Sequence, residues 1–389
     1  MPLRVAMLGQ YPLDETRVLG GVEAVMVPLV RGLAGREGLE LHVVTCLPGV
    51  QSGSITTSSG TPLHVLQRHR LGRATWHTRD VWGIARTIRS ISPDVVHAQG
   101  LGIYAAAAAR GPWPHVITTH GIVFREAEFA TGLAGRWRGF MDSRFERYCL
   151  PRAHAFISIS PYVEQEMARI GGIRGAVYRI ENPVDDAFFS VDRLSDGPTV
   201  LYAGRVIPRK GLLELLRAMA EVRPSVPQAR LRVAGETESA PAYLEACRQF
   251  IAQQGLDDAV RFLGPLTVAQ MVEEYARCAV LALTSKQETA PVAVAEAMAA
   301  ARPVVATRVC GVPYMVEEGR SGLLVEYGDT HALAQALTRV LTDEAQRARM
   351  GRRAREIAQA RFRTDYIAAE THSVYQQILS NHGAAHASS

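Results

Sequence analysis

Short runs of apolar, mostly β-branched residues alternate along the chain with longer stretches whose apolar positions recur every three to four residues. The runs read as strands near 3–8, 40–45, 63–66, 94–98, 115–119, 154–159 and 177–181, and again near 199–203, 230–235, 260–263, 279–283, 303–306 and 323–325. The longer stretches read as helices at 21–35, 77–91, 101–110, 135–149 and 161–169, then at 211–222, 241–254, 267–276, 291–300, 330–341 and 344–360. Strands that are apolar throughout, spaced by helices, imply parallel sheets covered on both faces. A polar, proline-bearing stretch from Asn182 to Pro198 separates the two series and suits a linker. A last helix, about 365–380, follows the second series, and the small polar tail 381–389 predicts disorder.

A chain of 389 residues is too long for one ordinary core, which fits two domains of similar size. With 47% hydrophobic and 21% charged residues the composition is that of a soluble globular protein. No apolar run approaches the roughly 20 residues that span a bilayer, and the opening run 3–9 is too short for a signal-peptide core. Five scattered cysteines without a C-x-x-C pair predict reduced thiols, not a disulfide framework or a zinc site. Together these features predict a cytoplasmic protein. The net charge of +5 is mild, and no basic cluster with interleaved aromatics suggests nucleic acid. The basic, aromatic stretch Arg136–Arg147 leaves contact with an anionic membrane face open; inward packing of its apolar residues is the favoured reading. Of the 43 basic Lys and Arg residues only Lys210 and Lys286 are lysines, so each stands against a strong bias.

The densest chemistry lies between Ser285 and Thr307. Glu288 is expected in a loop and Glu296 on the helix after it, about 12 Å apart along a helical rise. Pro291 suits a first helical turn, so Thr289, Ala290 and the amides beyond them would form a positive helix start facing a phosphate. Two solvated glutamates on an ordinary helix would explain the spacing alone. After the strand at 199–203, Gly204 lets the chain turn tightly, and Arg205 and Lys210 offer a planar fork and a mobile ammonium to a diphosphate. Arg209, by contrast, is expected to face water. Gly20 and Gly21, between the first strand and its helix, permit close approach of amides to an anion, although a plain turn would use them too. They do not form G-x-G-x-x-G, which counts against a dinucleotide site. His120 ends a strand, where ligands of doubly wound sheets bind; His97 reads as a structural, hydrogen-bonded residue.

Together these segments resemble the retaining glycosyltransferases of family 4, in order and over nearly the whole chain: G-G-x-E at Gly20, T-x-H-G at His120, G-R-x-x-x-x-K-G from Gly204, and E-x7-E from Glu288. The resemblance implies an α/β protein of GT-B fold, two Rossmann-like doubly wound domains facing across a cleft. Residues 1–182 would bind the acceptor and 199–362 the nucleotide-sugar, with the last helix returning to the first domain. It implies a donor-binding set of Gly20, Gly21, Arg205, Lys210, Leu263, Gly264, Leu266, Glu288, Thr289, Ala290 and Glu296. In that set Leu263 to Leu266 meet the base, Glu288 the sugar hydroxyls and Glu296 the ribose. His120, Arg205, Lys210 and Glu288 are implied as catalytic. The expected reaction is hexosyl transfer with retention from a nucleotide-diphosphate sugar, UDP before GDP, to an unidentified acceptor hydroxyl. No D-x-D motif is present, so neither a metal nor another cofactor is expected. Two alternatives stay open: a sugar-nucleotide epimerase on the same scaffold, and a non-catalytic nucleotide-sugar-binding protein. Thr289-Ala-Pro291 and Ala301 stand where the family often has glycine, and Tyr314 where an acidic residue is common. These departures bear on the donor sugar.

Overall fold

In a computed structural model the structure is described for residues 2–70, 72, 75–121, 139, 143–192, 195 and 197–387. Among them, eight strands form one sheet in the order β3-β4-β2-β1-β5-β6-β7-β8, with β1 at Leu3–Leu8, β2 at Leu39–Leu47, β3 at Gly53–Thr56, β4 at Pro62–Gln67, β5 at Val95–Gln99, β6 at His115–Thr119, β7 at Ala155–Ser158 and β8 at Ala176–Arg179. Every neighbouring pair is parallel except β3 with β4. The central strands β5 and β6 are buried at every position, as expected where helices cover both faces.

A second sheet runs β11-β10-β9-β12-β13-β14, all parallel, with β9 at Thr199–Ala203, β10 at Arg230–Ala234, β11 at Val260–Gly264, β12 at Val280–Leu283, β13 at Val304–Thr307 and β14 at Gly322–Val325. Successive strand residues point to opposite faces and fill two cores. Val200 joins Leu215, Leu231 and Leu337 in one; Leu201 joins Met298, Leu281 and Ile357 in the other.

Contacts divide the chain into two units. Met1–Glu15, Val25–Pro183 and Thr364–Ser389 form the first; Thr16–Ala24 and Val184–Arg363 form the second. The segment that carries Gly20 and Gly21 thus makes its contacts with the second unit, and the Val268 amide donates to the Thr16 carbonyl at 3.0 Å.

Three expectations change. The strand β3 was not foreseen: it is short, exposed at every residue, and held by antiparallel pairing that its own pattern does not announce. The described part of the stretch after Asn182 is built into the second unit from Val184 on. It forms a 3-10 helix at Asp186–Ser190 whose Phe188 enters the second unit's core, and Arg355 donates to the Val191 carbonyl at 2.8 Å. The last helix runs Thr364–Ala387, beyond 380, through alanines that favour helix, so disorder from 381 does not hold. Most of the basic stretch 136–147 lies outside the described residues. Residues 143–149, which overlap its end, are helical, and Phe145 is buried, its ring 5.7 Å from that of Trp76. Among the described residues no helix is long and apolar enough to cross a membrane.

Candidate functional site

In the second sheet the chain turns back at β9 and β12, which lie side by side although β10 and β11 separate them in sequence. Ligands of such sheets bind beyond the carboxyl ends of the strands at this switch point. The residues that leave these two strands carry the densest motifs. After β9 the chain makes a 3-10 turn, Pro208–Lys210, and after β12 it makes the loop from Thr284 to Thr289.

The two loops are sewn together by backbone and hydroxyl groups. Thr284 donates its hydroxyl to the Gly211 carbonyl at 2.7 Å, and the Lys286 amide donates to the Arg209 carbonyl at 2.8 Å. Gly211 has φ 68°, and a Cβ there would stand 2.0 Å from the Thr284 carbonyl oxygen, so only glycine permits this approach. From the other side the Gly311 amide donates to the Glu288 carbonyl at 2.9 Å. A Cβ on Gly311 would meet the Thr289 carbonyl at 1.7 Å. Arg209 does not face water alone, contrary to expectation: its guanidinium donates to the Gln287 carbonyl at 3.2 Å and braces the loop.

This framework brings Lys210 to Glu288, with Nζ 2.5 Å from Oε1. The Ser285 hydroxyl donates to the same oxygen at 2.6 Å. The Glu288 side chain is 8% exposed and that of Lys210 20%, so the pair is largely withdrawn from water. Arg205 is exposed on the neighbouring turn and accepts the Tyr202 hydroxyl on its carbonyl at 2.9 Å. Hydrogen bonds from Ser239 hold the Glu236 carboxyl low, with a smaller contribution from the Arg205 charge. The Val206 amide donates to the Glu236 carbonyl and the Gly235 amide to the Gly264 carbonyl, joining the turns after β9, β10 and β11. Leu263 and Leu266, flanking Gly264, are partly buried against the core.

Glu296 sits on the helix Val292–Ala299. That helix starts one residue later than expected: Pro291 is its N-cap with φ −66° and ψ 118°, so Thr289 and Ala290 precede it and the first helical amides are those of Val292 and Ala293. The Tyr275 hydroxyl is 3.0 Å from both the Ala293 carbonyl and Glu296 Oε2. Loss of hydration pushes the Glu296 carboxyl up to about 7; the Tyr275 hydrogen bond opposes this, and the Asp185 charge adds to it. Nothing in the E-x7-E spacing announces Tyr275.

Gly20 and Gly21 are exposed, and a Cβ at either would meet nothing. Packing therefore does not require glycine there. Glu23 reaches back to accept the Leu19 amide at 2.8 Å, which holds the turn at the helix start.

In the first unit His120 follows β6, and its Nε2 lies 2.6 Å from Gln99 Oε1. Burial pushes the ring down to about 4, against the pull of a hydrogen bond with Asn182, so it is neutral at pH 7. His97 is fully buried and lowered to about 3 by burial and then by the nearby His120. Gln99, Ser285 and Asn182 were not singled out in the sequence, where a polar residue at a strand end carries no distinguishing signal.

Two family models match this chain: Glycosyltransferase Family 4 over residues 19–188, and Glycosyl transferases group 1 over residues 197–343. The D-inositol 3-phosphate glycosyltransferase of Corynebacterium glutamicum is 34% identical over 184 residues, 47% of this chain and 44% of that protein. The protein of the same name from Saccharomonospora viridis is 32% identical over 299 residues, 74% of this chain and 64% of that one. The match to the first relative thus spans less than half of its length. Among solved structures, a sucrose-phosphate synthase from Thermosynechococcus elongatus superposes with a TM-score of 0.83 at 24% identity, covering 97% of this chain and 100% of that one. Anabaena HepE in complex with UDP and glucose gives 0.75 at 20%, covering 96% and 99%. At these identities the likeness is one of fold, and the fold is GT-B.

Proposed function

Since the chain belongs to the family 4 glycosyltransferases, we propose that it transfers a hexosyl group, with retention, from a nucleotide-diphosphate sugar to an acceptor hydroxyl. The observation that carries this reading is the Lys210–Glu288 pair at the switch point of the second sheet. A partly exposed lysine beside a buried carboxylate suits a diphosphate on one side and sugar hydroxyls on the other. UDP is the favoured nucleotide: HepE, a protein of the same fold, was solved with UDP and glucose.

In this mechanism the bond between the anomeric carbon and the diphosphate oxygen breaks. The acceptor oxygen bonds the same face of that carbon, and its proton passes to the departing phosphate. Arg205, Lys210, a Gly20 or Gly21 amide, and the helix opening after Thr289 and Ala290 would stabilise the charge that develops on the diphosphate. Glu288 would hold sugar hydroxyls through Oε2, since Oε1 is taken by Lys210 and Ser285. Glu296 would accept ribose hydroxyls, and backbone groups between Leu263, Gly264 and Leu266 would meet the base. His120, being neutral, would act by hydrogen bonding to the sugar and not as a cation. No metal is required in this scheme.

Thermal-shift screening of UDP-, GDP- and ADP-sugars, followed by acceptor trials with the best donor, tests the proposal. A product with the donor's anomeric configuration supports it; inversion rejects retention. Donor turnover without any acceptor but with epimerised sugar would favour an isomerase instead.

A further inference from the structure

Gln99 closes β5 and is 4% exposed, set between two histidines. Its Oε1 is 2.6 Å from His120 Nε2, and its amide nitrogen is 3.2 Å from His97 Nε2. His97 in turn has the Thr118 hydroxyl 2.7 Å from Nε2 and the Tyr375 hydroxyl 2.7 Å from Nδ1. Tyr375 is fully buried on the last helix, 278 positions away in sequence. We propose that Tyr375, His97 and Gln99 are positioning residues that hold His120 in one orientation and one tautomer.

The reason lies in the amide. It has an acceptor at one end and a donor at the other, so a hydrogen-bonded line through it runs in one direction. With Oε1 turned to His120, the His120 Nε2–H donates to Gln99. The Gln99 NH2 then donates to His97 Nε2, which therefore carries no proton. The His97 proton sits on Nδ1 and is donated to the Tyr375 oxygen, while the Thr118 hydroxyl donates to Nε2. Burial keeps both rings neutral, which preserves this order. Reversing any one link would leave a buried polar group opposed to a like group. The docking of a helix at the far end of the chain is thereby coupled to the ring that ends β6.

The inference rests on the reading of His120 as a donor-sugar contact, but its first test does not need a substrate. Imidazole 15N NMR on the full chain at pH 7 should show His120 as the Nε2–H tautomer and His97 as the Nδ1–H tautomer. Averaged tautomers on either ring would overturn the proposal. Gln99→Met keeps the volume and removes the hydrogen bonds; the His120 signal should become a tautomer mixture. With UDP-glucose, kcat should fall about 10- to 100-fold while KM stays within about twofold. Tyr375→Phe should show the same split, about 3- to 10-fold. Gln99→Glu retains an oxygen facing His120 and should restore its Nε2–H tautomer, while its second oxygen, an acceptor where the NH2 stood, should turn His97 to the Nε2–H tautomer. Thermal midpoints near that of the parent verify that each variant is folded. A Gln99→Met protein with unchanged tautomer and kcat refutes the proposal. Failure of the functional reading looks different: His120→Ala would turn over donor like the parent while the parent's tautomers remain as assigned.

Discussion

Glu288 and Glu296 are eight residues apart on consecutive elements, yet their surroundings are opposite. Glu288 is an ion-pair partner, bonded through one oxygen by Lys210 and Ser285. Glu296 meets the Tyr275 phenol, with no cation beside it among its described contacts, and its carboxyl rises to about 7. The same side chain is thus paired with a cation at one end of the motif and, at the other, lifted by loss of hydration towards neutral pH. A spacing rule treats the two glutamates as equivalent. Their neighbours, drawn from the turns after β9 and β12 on one side and from the helix Val268–Arg277 on the other, make them different.

The sharpest way to break the contrast is Lys210→Ala. It should cut turnover about 100- to 1000-fold, measured as UDP release from the best donor. The same change strands the Glu288 charge, so the thermal midpoint should fall and should recover in the double variant with Glu288→Gln. Parent-like donor consumption by Lys210→Ala would remove the phosphate role. Next in size is Gly211→Ala, which meets the Thr284 carbonyl and a left-handed backbone; denaturant titration should show a loss of roughly 3 kcal/mol.

Glu296 provides a pH-dependent test. Its folded pKa lies above its ordinary value of 4.5, so its proton is held more tightly when folded. Ionisation then opposes folding, and this part of the stability is lost as pH rises from 4.5 through about 7. Glu296→Gln should therefore gain thermal midpoint on the parent between pH 5 and pH 8. If ribose hydroxyls donate to the carboxylate, UDP-glucose affinity of the parent should rise over the same interval, and that of the variant should not. A flat parent profile would count against both assignments.

The smallest effect is expected at Ala301, which ends the motif's helix region with φ 56°, a conformation that glycine takes freely. Ala301→Gly should leave stability unchanged or raise it by about 1 kcal/mol in the same titration.

Much of this was legible in the chain. The strands β1, β5, β6, β9 and β12 announced themselves through short β-branched, largely apolar runs, as strands covered on both faces require, although β5 and β6 also bury polar residues such as His97, Gln99 and Thr118. Lys210 stood out because a glycine turn after a strand places charge at a sheet's carboxyl edge, and Glu288 because of its eight-residue spacing from Glu296. Arg209 was misread as solvated: its partner, the Gln287 carbonyl, lies 78 positions on, and backbone acceptors leave no mark on composition. The one-residue shift of the helix start at Pro291 reflects how weakly proline distinguishes an N-cap from a first turn. β3 escaped notice because its partner strand, not its own residues, makes it a strand.

Local order follows from near neighbours along the chain, so apolar periodicity, turn glycines and capping residues set the elements and the sequence of motifs. Which groups meet across the sheet was decided only by tertiary structure. β9 lies beside β12, Tyr275 beside Glu296, and Tyr375 beside His97, because burial of apolar faces brings distant segments together without regard to the polar atoms they carry. Protonation and charge at those meeting points then depend on hydration and on partners that no single segment contains.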